Sequence, residues 1–306
     1  MAAHPGYAIA IHGGAGDLPY WGMTPEKEKQ FHAALVRAVE KGLAILKRDG
    51  SALDAVEAAL IELENEPLFN AGVGSAINSA GKVQMDASIM CGRTMKAGAV
   101  AGIGRYRNPF QLARLVMDRS GHVFLAGEGA EMFAREMGLE AVSNEHFKIA
   151  ERIAWWEDEN RGKASSQVQD TGTAGAVALD RQGNLAAATS TGGLMMTRPG
   201  RIGDSPVIGA GTYANNDTCA VSCSGAGENI IRAVTAHEIS ALLKYGKMSL
   251  ADACEKTMQE KVTPFGGQAG LVALDHEGNI KYVFNTKRMY RGWYHAGEII
   301  TRLYPE

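Results

Sequence analysis

Two five-residue loops limit the topology of this chain more than any other feature. Asp180-Arg181-Gln182-Gly183-Asn184 joins strand-like runs at 173–179 and 185–190, and Asp275-His276-Glu277-Gly278-Asn279 joins runs at 271–275 and 280–284. Apolar runs separated by so short a Gly-containing loop read as hairpins. Hairpins pair their strands antiparallel, which argues against a doubly wound parallel sheet.

Helical signals flank these hairpins. Thr24-Pro25-Glu26 is an N-cap with proline at the first helical position, and Phe31, Leu35, Ala38, Val39, Gly42 and Leu46 follow at helical spacing up to Asp49-Gly50. Ser51 caps a second helix, with an acid three residues on, running to about Glu64. Tyr7 to His12 reads as a short strand, as do 84–90 and 98–102. Asn108-Pro109 opens another helix. Further strands are expected at 206–211 and 218–224, a long amphipathic helix at 228–245 and another at 250–261. The order points to an α+β fold in which sheets lie between helix layers.

Between the halves runs a polar stretch, about 158–172, in which no apolar period survives. It ends at Asp170-Thr171-Gly172-Thr173-Ala174-Gly175. A hydroxyl residue there starts a buried-looking strand directly after glycine, a pattern that an ordinary loop-to-strand boundary also produces. Arg201 and Asp204 lie three apart in a Pro- and Gly-rich loop. They read either as a surface ion pair or as a clamp for a zwitterion, with Arg201 on a carboxylate and Asp204 on an ammonium. Cys223-Ser224-Gly225-Ala226-Gly227-Glu228 runs from strand end to helix start, where backbone N–H groups can face an anion. His12, beside Gly13-Gly14, suits either catalysis or a satisfied core position.

Other chemistries lack their residues. Position 241 is Ala, so His237-Glu238 is no zincin motif; Gly102-Ile103-Gly104 lacks the third glycine of a dinucleotide fingerprint, and no phosphate loop is present. The formal charge of -3 suggests neither nucleic acid nor an anionic membrane as partner. No run of about 18 apolar residues occurs, and the N-terminus lacks a basic region followed by an apolar one. Cys91, Cys219, Cys223 and Cys254 form no paired C-x-x-C motifs and read as buried free thiols, so a cytoplasmic protein is expected.

Together these stretches resemble the plant-type L-asparaginase/isoaspartyl peptidase family. The resemblance is carried by Ile11-His12-Gly13-Gly14-Ala15-Gly16, Leu68-Phe69-Asn70-Ala71-Gly72, Met85-Asp86-Ala87-Ser88, Gly172-Thr173, Thr189-Ser190-Thr191-Gly192-Gly193, Gly203-Asp204-Ser205-Pro206 and Met289-Tyr290-Arg291. It implies one αββα domain over 1–306 of the N-terminal-nucleophile hydrolase type, cut between Gly172 and Thr173 into 1–172 and 173–306, and a homodimer of those pairs. Thr173 matches the nucleophile and Thr191 the neighbouring hydroxyl. Ser224 and Gly225 match the oxyanion hole, Arg201 and Asp204 the substrate clamp, and Gly227 a backbone contact to substrate. No cofactor is required for the chemistry. A structural sodium ion is expected on the backbone carbonyls of Leu63, Glu64, Glu66, Phe69, Ala71 and Val73. Two positions depart from the pattern: Ser224 where many relatives carry threonine, and Ala174 where valine is usual. Thr171 is a rival start, but only Thr173-Ala174-Gly175 satisfies Thr-x-Gly.

The implied activity is hydrolysis of L-asparagine or β-aspartyl dipeptides. A threonine hydroxyl needs a base, and the α-amine of an N-terminal threonine supplies one, with a pKa of about 7.7–8.0. Inside an uncut chain that nitrogen is an amide and cannot act so. Two rival readings stand beside this one: a glycosylasparaginase-like or threonine endopeptidase activity on the same fold, and an uncleaved binding protein.

Overall fold

The computed structural model describes residues 6–17, 22–162 and 172–305. Among the described residues, twelve strands and eight α-helices fall in two blocks. The first block holds β1 (Ala8–Gly16), α1 (Pro25–Lys47), α2 (Ala52–Asn65), β2 (Met85–Cys91), β3 (Ala97–Ile103), α3 (Pro109–Arg119), β4 (Phe124–Ala126), α4 (Gly127–Glu136) and α5 (Ala150–Asn160). The second holds β5 (Ala174–Leu179), β6 (Leu185–Thr191), β7 (Thr212–Ala214), β8 (Cys219–Gly225), α6 (Gly227–Ala233), α7 (Thr235–Lys244), α8 (Leu250–Thr257), β9 (Ala269–Asp275), β10 (Ile280–Phe284), β11 (Arg288–His295) and β12 (Glu298–Arg302).

The strands form an eight-stranded sheet, ordered β12-β11-β1-β5-β6-β2-β3-β4, and a four-stranded sheet, β10-β9-β8-β7. Every pairing is antiparallel except β3 with β4. Side-chain alternation then builds four layers. On β1 and β5, Ile9, Ile11, Ala174, Ala176 and Ala178 face outward onto Phe31, Leu35 and Val39 of α1 and Val56, Leu60 and Leu63 of α2. Their neighbours Ala8, Ala10, Val177 and Leu179 face inward and meet Ala220, Val272 and Leu274 of the small sheet. The other side of that sheet, with Cys219, Val221, Leu271 and Ala273, packs on Ile230, Ile239, Ala253 and Cys254 of its helices. The result is an αββα sandwich, as expected, and the four cysteines are free and buried.

Local chemistry explains the elements. Thr24 and Ser51 accept N–H bonds from Lys27 and Asp54, capping α1 and α2. In the first hairpin loop, Asp180 Oδ1 accepts from Gln182 N and Asn184 N, while Oδ2 accepts from Ala52 N at the start of α2. Asp275 plays the same part in the second loop, taking Glu277 N and Asn279 N.

Three expectations change. Residues 206–211 form successive turns rather than a strand, because Val207 N, Ala210 N and Gly211 N bond back to Asp204 O and Val207 O. The helix expected over 228–245 is two helices. Val234 between them is left-handed, with φ 48° and ψ 45°, and the carbonyls of Gly209 and Ala210 take the N–H groups of His237 and Ala236. Helix α5 continues through Asn160, so the first residues of the polar stretch are helical. Residues 163–171, including Thr171, lie outside the described residues. Strands β4, β11 and β12 and helices α4 and α5 are additions to the sequence reading.

Because Asp180 serves a hairpin and a helix at once, Asp180→Ala is expected to destabilise the protein by about 1 kcal/mol more than Asp275→Ala, the difference being one helix-cap bond. Denaturant unfolding of both variants measures this; equal losses would mean that the Ala52 bond contributes nothing.

Candidate active site

The inward faces of β5, β6 and β8 meet at the end of the sandwich where β5 begins. Alternation from Val177 puts Thr173 on the inter-sheet side, and it is 5% exposed. Its Oγ1 donates to Thr191 Oγ1 at 3.2 Å, and Thr191 Oγ1 accepts from Gly193 N at 3.0 Å. The carbonyl of Gly172, just before the nucleophile candidate, is gripped by Asn70 Nδ2 at 2.7 Å. The same amide nitrogen donates to Gly193 O at 2.7 Å, and Asn70 Oδ1 accepts from Ala76 N. Thr191 Oγ1 lies 3.4 Å from the Gly172 oxygen. Residue 14 backs this peptide bond: at φ 117°, a Cβ there would lie 2.6 Å from Gly172 Cα and 3.0 Å from Thr173 N, so glycine is required.

Across the gap Ser224 is fully buried at the end of β8, and its Oγ accepts from Ala15 N at 3.0 Å. Gly225 follows it. Arg201 and Asp204 do not pair with each other. Arg201 makes a two-pronged ion pair with Glu228, Nε to Oε1 at 2.9 Å and Nη2 to Oε2 at 3.0 Å. Asp204 is 3% exposed and its Oδ2 has no hydrogen-bond partner. Both reach the space over Gly227, where a Cβ would lie 2.8 Å from Arg201 Nη2 and 2.9 Å from Asp204 Oδ1. Burial holds the Asp204 carboxyl up at about 7, against the weaker pull of Arg201. Asp86 of β2, raised to about 6 by burial, accepts from Gly102 N and from Gly203 N in the Arg201 loop.

Beneath the site a chain of polar side chains crosses between the sheets. His12 Nε2 lies 2.9 Å from Ser222 Oγ, and Ser222 Oγ is 2.7 Å from Thr189 Oγ1. Thr212 Oγ1 donates to Thr189 Oγ1, and Ser88 Oγ reaches Thr212 Oγ1 at 2.8 Å and the Ser205 carbonyl at 2.6 Å. Burial pushes the His12 ring down to about 4, so it is neutral at physiological pH. Only Nε2 is paired; among the described residues Nδ1 is buried without a hydrogen-bond partner, so the ring is half satisfied.

The last turn of α2 and the loop after it carry the six residues expected to hold sodium. Glu64 O lies against Gly72, and Pro67 O and Phe69 O lie against Gly74, where any side chain would collide with them. Among the described residues no three carboxylate, thiol or imidazole side chains converge on a metal position. The donors of the expected set are backbone carbonyls, which suit an alkali cation; those of Leu63, Glu64 and Glu66 also accept from Glu66 N, Val73 N and Phe69 N. The Glu64 side chain points elsewhere, accepting from Ser190 Oγ at 2.6 Å, Phe110 N and Asn108 Nδ2, and burial raises it to about 7.

A profile described as asparaginase matches residues 5–303. This chain belongs to the asparaginase family. Isoaspartyl peptidase of Escherichia coli K12 is 49% identical over 302 residues, covering 96% of this chain and 94% of that protein. A plant-type L-asparaginase of Pyrobaculum calidifontis is 42% identical, covering 96% of this chain and 99% of that one. Human isoaspartyl peptidase/L-asparaginase is 40% identical, covering 89% and 87%. As a member of the asparaginase family the protein is a hydrolase, and its sandwich is the N-terminal-nucleophile type. Among the described residues no helix is long and apolar enough to cross a membrane.

Thr173, Thr191, Gly172 and Gly193 thus meet at the start of β5. Arg201 Nη1 comes within 3.6 Å of where a Cβ on Gly193 would lie, and Arg201 and Asp204 share the space over Gly227. Asn70, Gly14, Asp86 and Glu228 join them without having been singled out. Asn70 had a visible signal, as a polar residue inside a buried apolar loop.

Asp204 makes the site costly to hold. Its folded pKa lies above the unfolded value, so between about pH 4 and 7 the folded chain keeps a proton the unfolded chain has released, and this contribution falls as pH rises. Asp204→Asn is expected to melt with the parent near pH 4.5 and above it at pH 8. Superimposable melting at both pH values would show that Asp204 ionises as freely as in solution.

Proposed function

We propose that the protein cuts its own chain between Gly172 and Thr173 and then hydrolyses the side-chain amide of L-asparagine and of β-aspartyl dipeptides with Thr173. The observation that carries this reading is the geometry at one peptide bond: a buried threonine hydroxyl beside Thr191, with the preceding carbonyl oxygen 2.7 Å from the Asn70 amide.

In the precursor, Thr173 Oγ attacks the Gly172 carbonyl carbon. Charge develops on the carbonyl oxygen, where Asn70 Nδ2 already donates, so no reorganisation is needed as the transition state forms. The C–N bond breaks as the nitrogen takes the proton that Oγ gives up and becomes the free α-amine, and an ester links Gly172 to Oγ. Water hydrolyses the ester, leaving a Gly172 carboxylate and Thr173 with its amine and hydroxyl.

In turnover the amine takes the Oγ proton as Oγ attacks the β-carbonyl of the substrate. Ser224 Oγ and Gly225 N–H hold the oxyanion. The amine returns the proton to the leaving nitrogen, ammonia or an amino acid departs, and water releases aspartate from the ester. Asp204, buried and short of a partner, receives the substrate α-ammonium. Arg201, already aligned by Glu228, receives the α-carboxylate, and Gly227 leaves room for both. The carbonyls of Leu63, Glu64, Glu66, Phe69, Ala71 and Val73 would hold a sodium ion, which would steady the loop that presents Asn70. Exposed Val123, Phe124 and Met132 on the β4–α4 edge suit pairing with a second copy into a homodimer, and four free buried thiols suit the cytoplasm.

Intact mass after incubation at neutral pH is expected to show chains 1–172 and 173–306, absent in Thr173→Ala. Asn70→Ala slows that cleavage by on the order of 10²–10³, whereas Arg201→Ala leaves it largely intact and raises KM for L-asparagine. An uncut parent without amidohydrolase activity would instead favour a binding protein. Replacing sodium by choline is expected to lower the melting temperature, with recovery on adding sodium; identical melting in the two salts would remove the cation from this loop.

A further inference from the structure

Thr173 lies between two ends of the site. At one end stand the clamp and Asp86 of β2, where the α-groups of the substrate dock. The opposite end is built by β1 and β11 in the large sheet and by β9, the neighbour of β8, in the small one. There the inter-sheet face can be followed rung by rung. Ala15 Cβ and Met289 Sδ both cover the face of Gly270, and Ser224 is the β8 partner of Gly270. Asp17, Lys287 and Gln268 stand one residue beyond the ends of β1, β11 and β9. Asp17 Oδ2 lies 3.7 Å from Lys287 Nζ, which places the two side chains on one face. That lysine side chain is 74% exposed, so the ion pair is loose.

Two atoms at this end have no explanation within the chain. Asp17 Oδ1 and Gln268 Oε1 are buried oxygens without a hydrogen-bond partner. Leaving a buried acceptor unsatisfied costs about 1–3 kcal/mol, more for a charged one, and a folded chain keeps such groups where a ligand supplies the donor. A substrate held by its α-groups at the clamp, with its β-carbonyl over Thr173 Oγ, has its leaving nitrogen on this side.

We propose that Asp17 and Gln268 form the subsite for the leaving group, and that it selects leaving groups rich in N–H donors or positive charge: β-aspartyl dipeptides whose second residue is basic. This rests on the reaction proposed above. An anionic second residue meets the Asp17 carboxylate and is disfavoured. Ammonia, the leaving group of L-asparagine, is too small to fill the subsite, so L-asparagine serves as an internal reference.

The test is kcat/KM for β-aspartyl-lysine, β-aspartyl-leucine and β-aspartyl-glutamate, each divided by that for L-asparagine with the same preparation. In the parent the lysine substrate is expected to exceed the glutamate one by about tenfold or more, the size of one charge-assisted hydrogen bond. Asp17→Asn brings the two close together, and Gln268→Leu lowers all three dipeptides relative to L-asparagine. Retained L-asparagine turnover with an unchanged lysine-to-glutamate ratio in Asp17→Asn overturns the subsite alone. A processed parent that turns over neither L-asparagine nor any dipeptide overturns the reaction, and the subsite with it.

Discussion

Everything in this molecule depends on the burial of β5 and β6 on both faces. Their sequences, Ala-Gly-Ala-Val-Ala-Leu and Leu-Ala-Ala-Ala-Thr-Ser-Thr, are built of small side chains. Small residues let α2 sit close on one side and β8 close on the other. Close approach has a chemical result: the few polar side chains on the inward face, Thr173, Thr189 and Thr191, have little room for solvent and must find partners in the opposite sheet or beside them. The site is thus a by-product of sheet packing, opened where the strands end.

The hydroxyl chain from His12 to Ser88 shows the same rule at work. Four hydroxyls and the Nε2 of one neutral imidazole link to one another across the gap, and the chain ends on the Ser205 carbonyl beside Asp204. It connects the strand next to the nucleophile with the clamp loop without using any charge. The charged groups are left at the rim. There Asp86 and Asp204 are both held above the ordinary carboxylate range by burial, and Arg201 is tethered by a half-exposed glutamate. Uncharged hydrogen bonds give rigidity in the interior, and unsatisfied or exchangeable charges are reserved for the ligand.

Much of this is legible in the linear sequence, for identifiable reasons. The hairpins are legible because Asp-x-x-Gly-Asn carries its own turn chemistry, the Asp oxygens capping N–H groups two and four residues on. Thr173, Ser224 and the clamp are legible because each sits beside a glycine-rich change of texture. The pairing of Arg201 with Glu228 is not, since the partners are separated by the whole of β7 and β8. Nor is β11: its run Arg-Met-Tyr-Arg-Gly-Trp-Tyr-His looks exposed. Yet Arg288 and Arg291 are buried, one stacked over Tyr290 and the other over Phe284 while it donates to the Tyr304 carbonyl. Arginines satisfied by rings and carbonyls leave no periodic trace. The break at Val234 is hidden for a different reason, since carbonyls from a distant turn, not a Gly or Pro, interrupt the helix.

The double grip of Asn70 has a consequence for the life of the enzyme. One amide group holds two carbonyls, Gly193 O and Gly172 O, and on the proposed cleavage the second belongs to the end that departs. On the proposed reaction, the whole chain keeps its own Gly172 carbonyl beside the hydroxyl that later takes the substrate. The newly made protein is therefore its own first occupant. Vacating the site means surrendering a 2.7 Å hydrogen bond, so the proposed maturation ends with the exit of the new C-terminus as well as with the breaking of the bond.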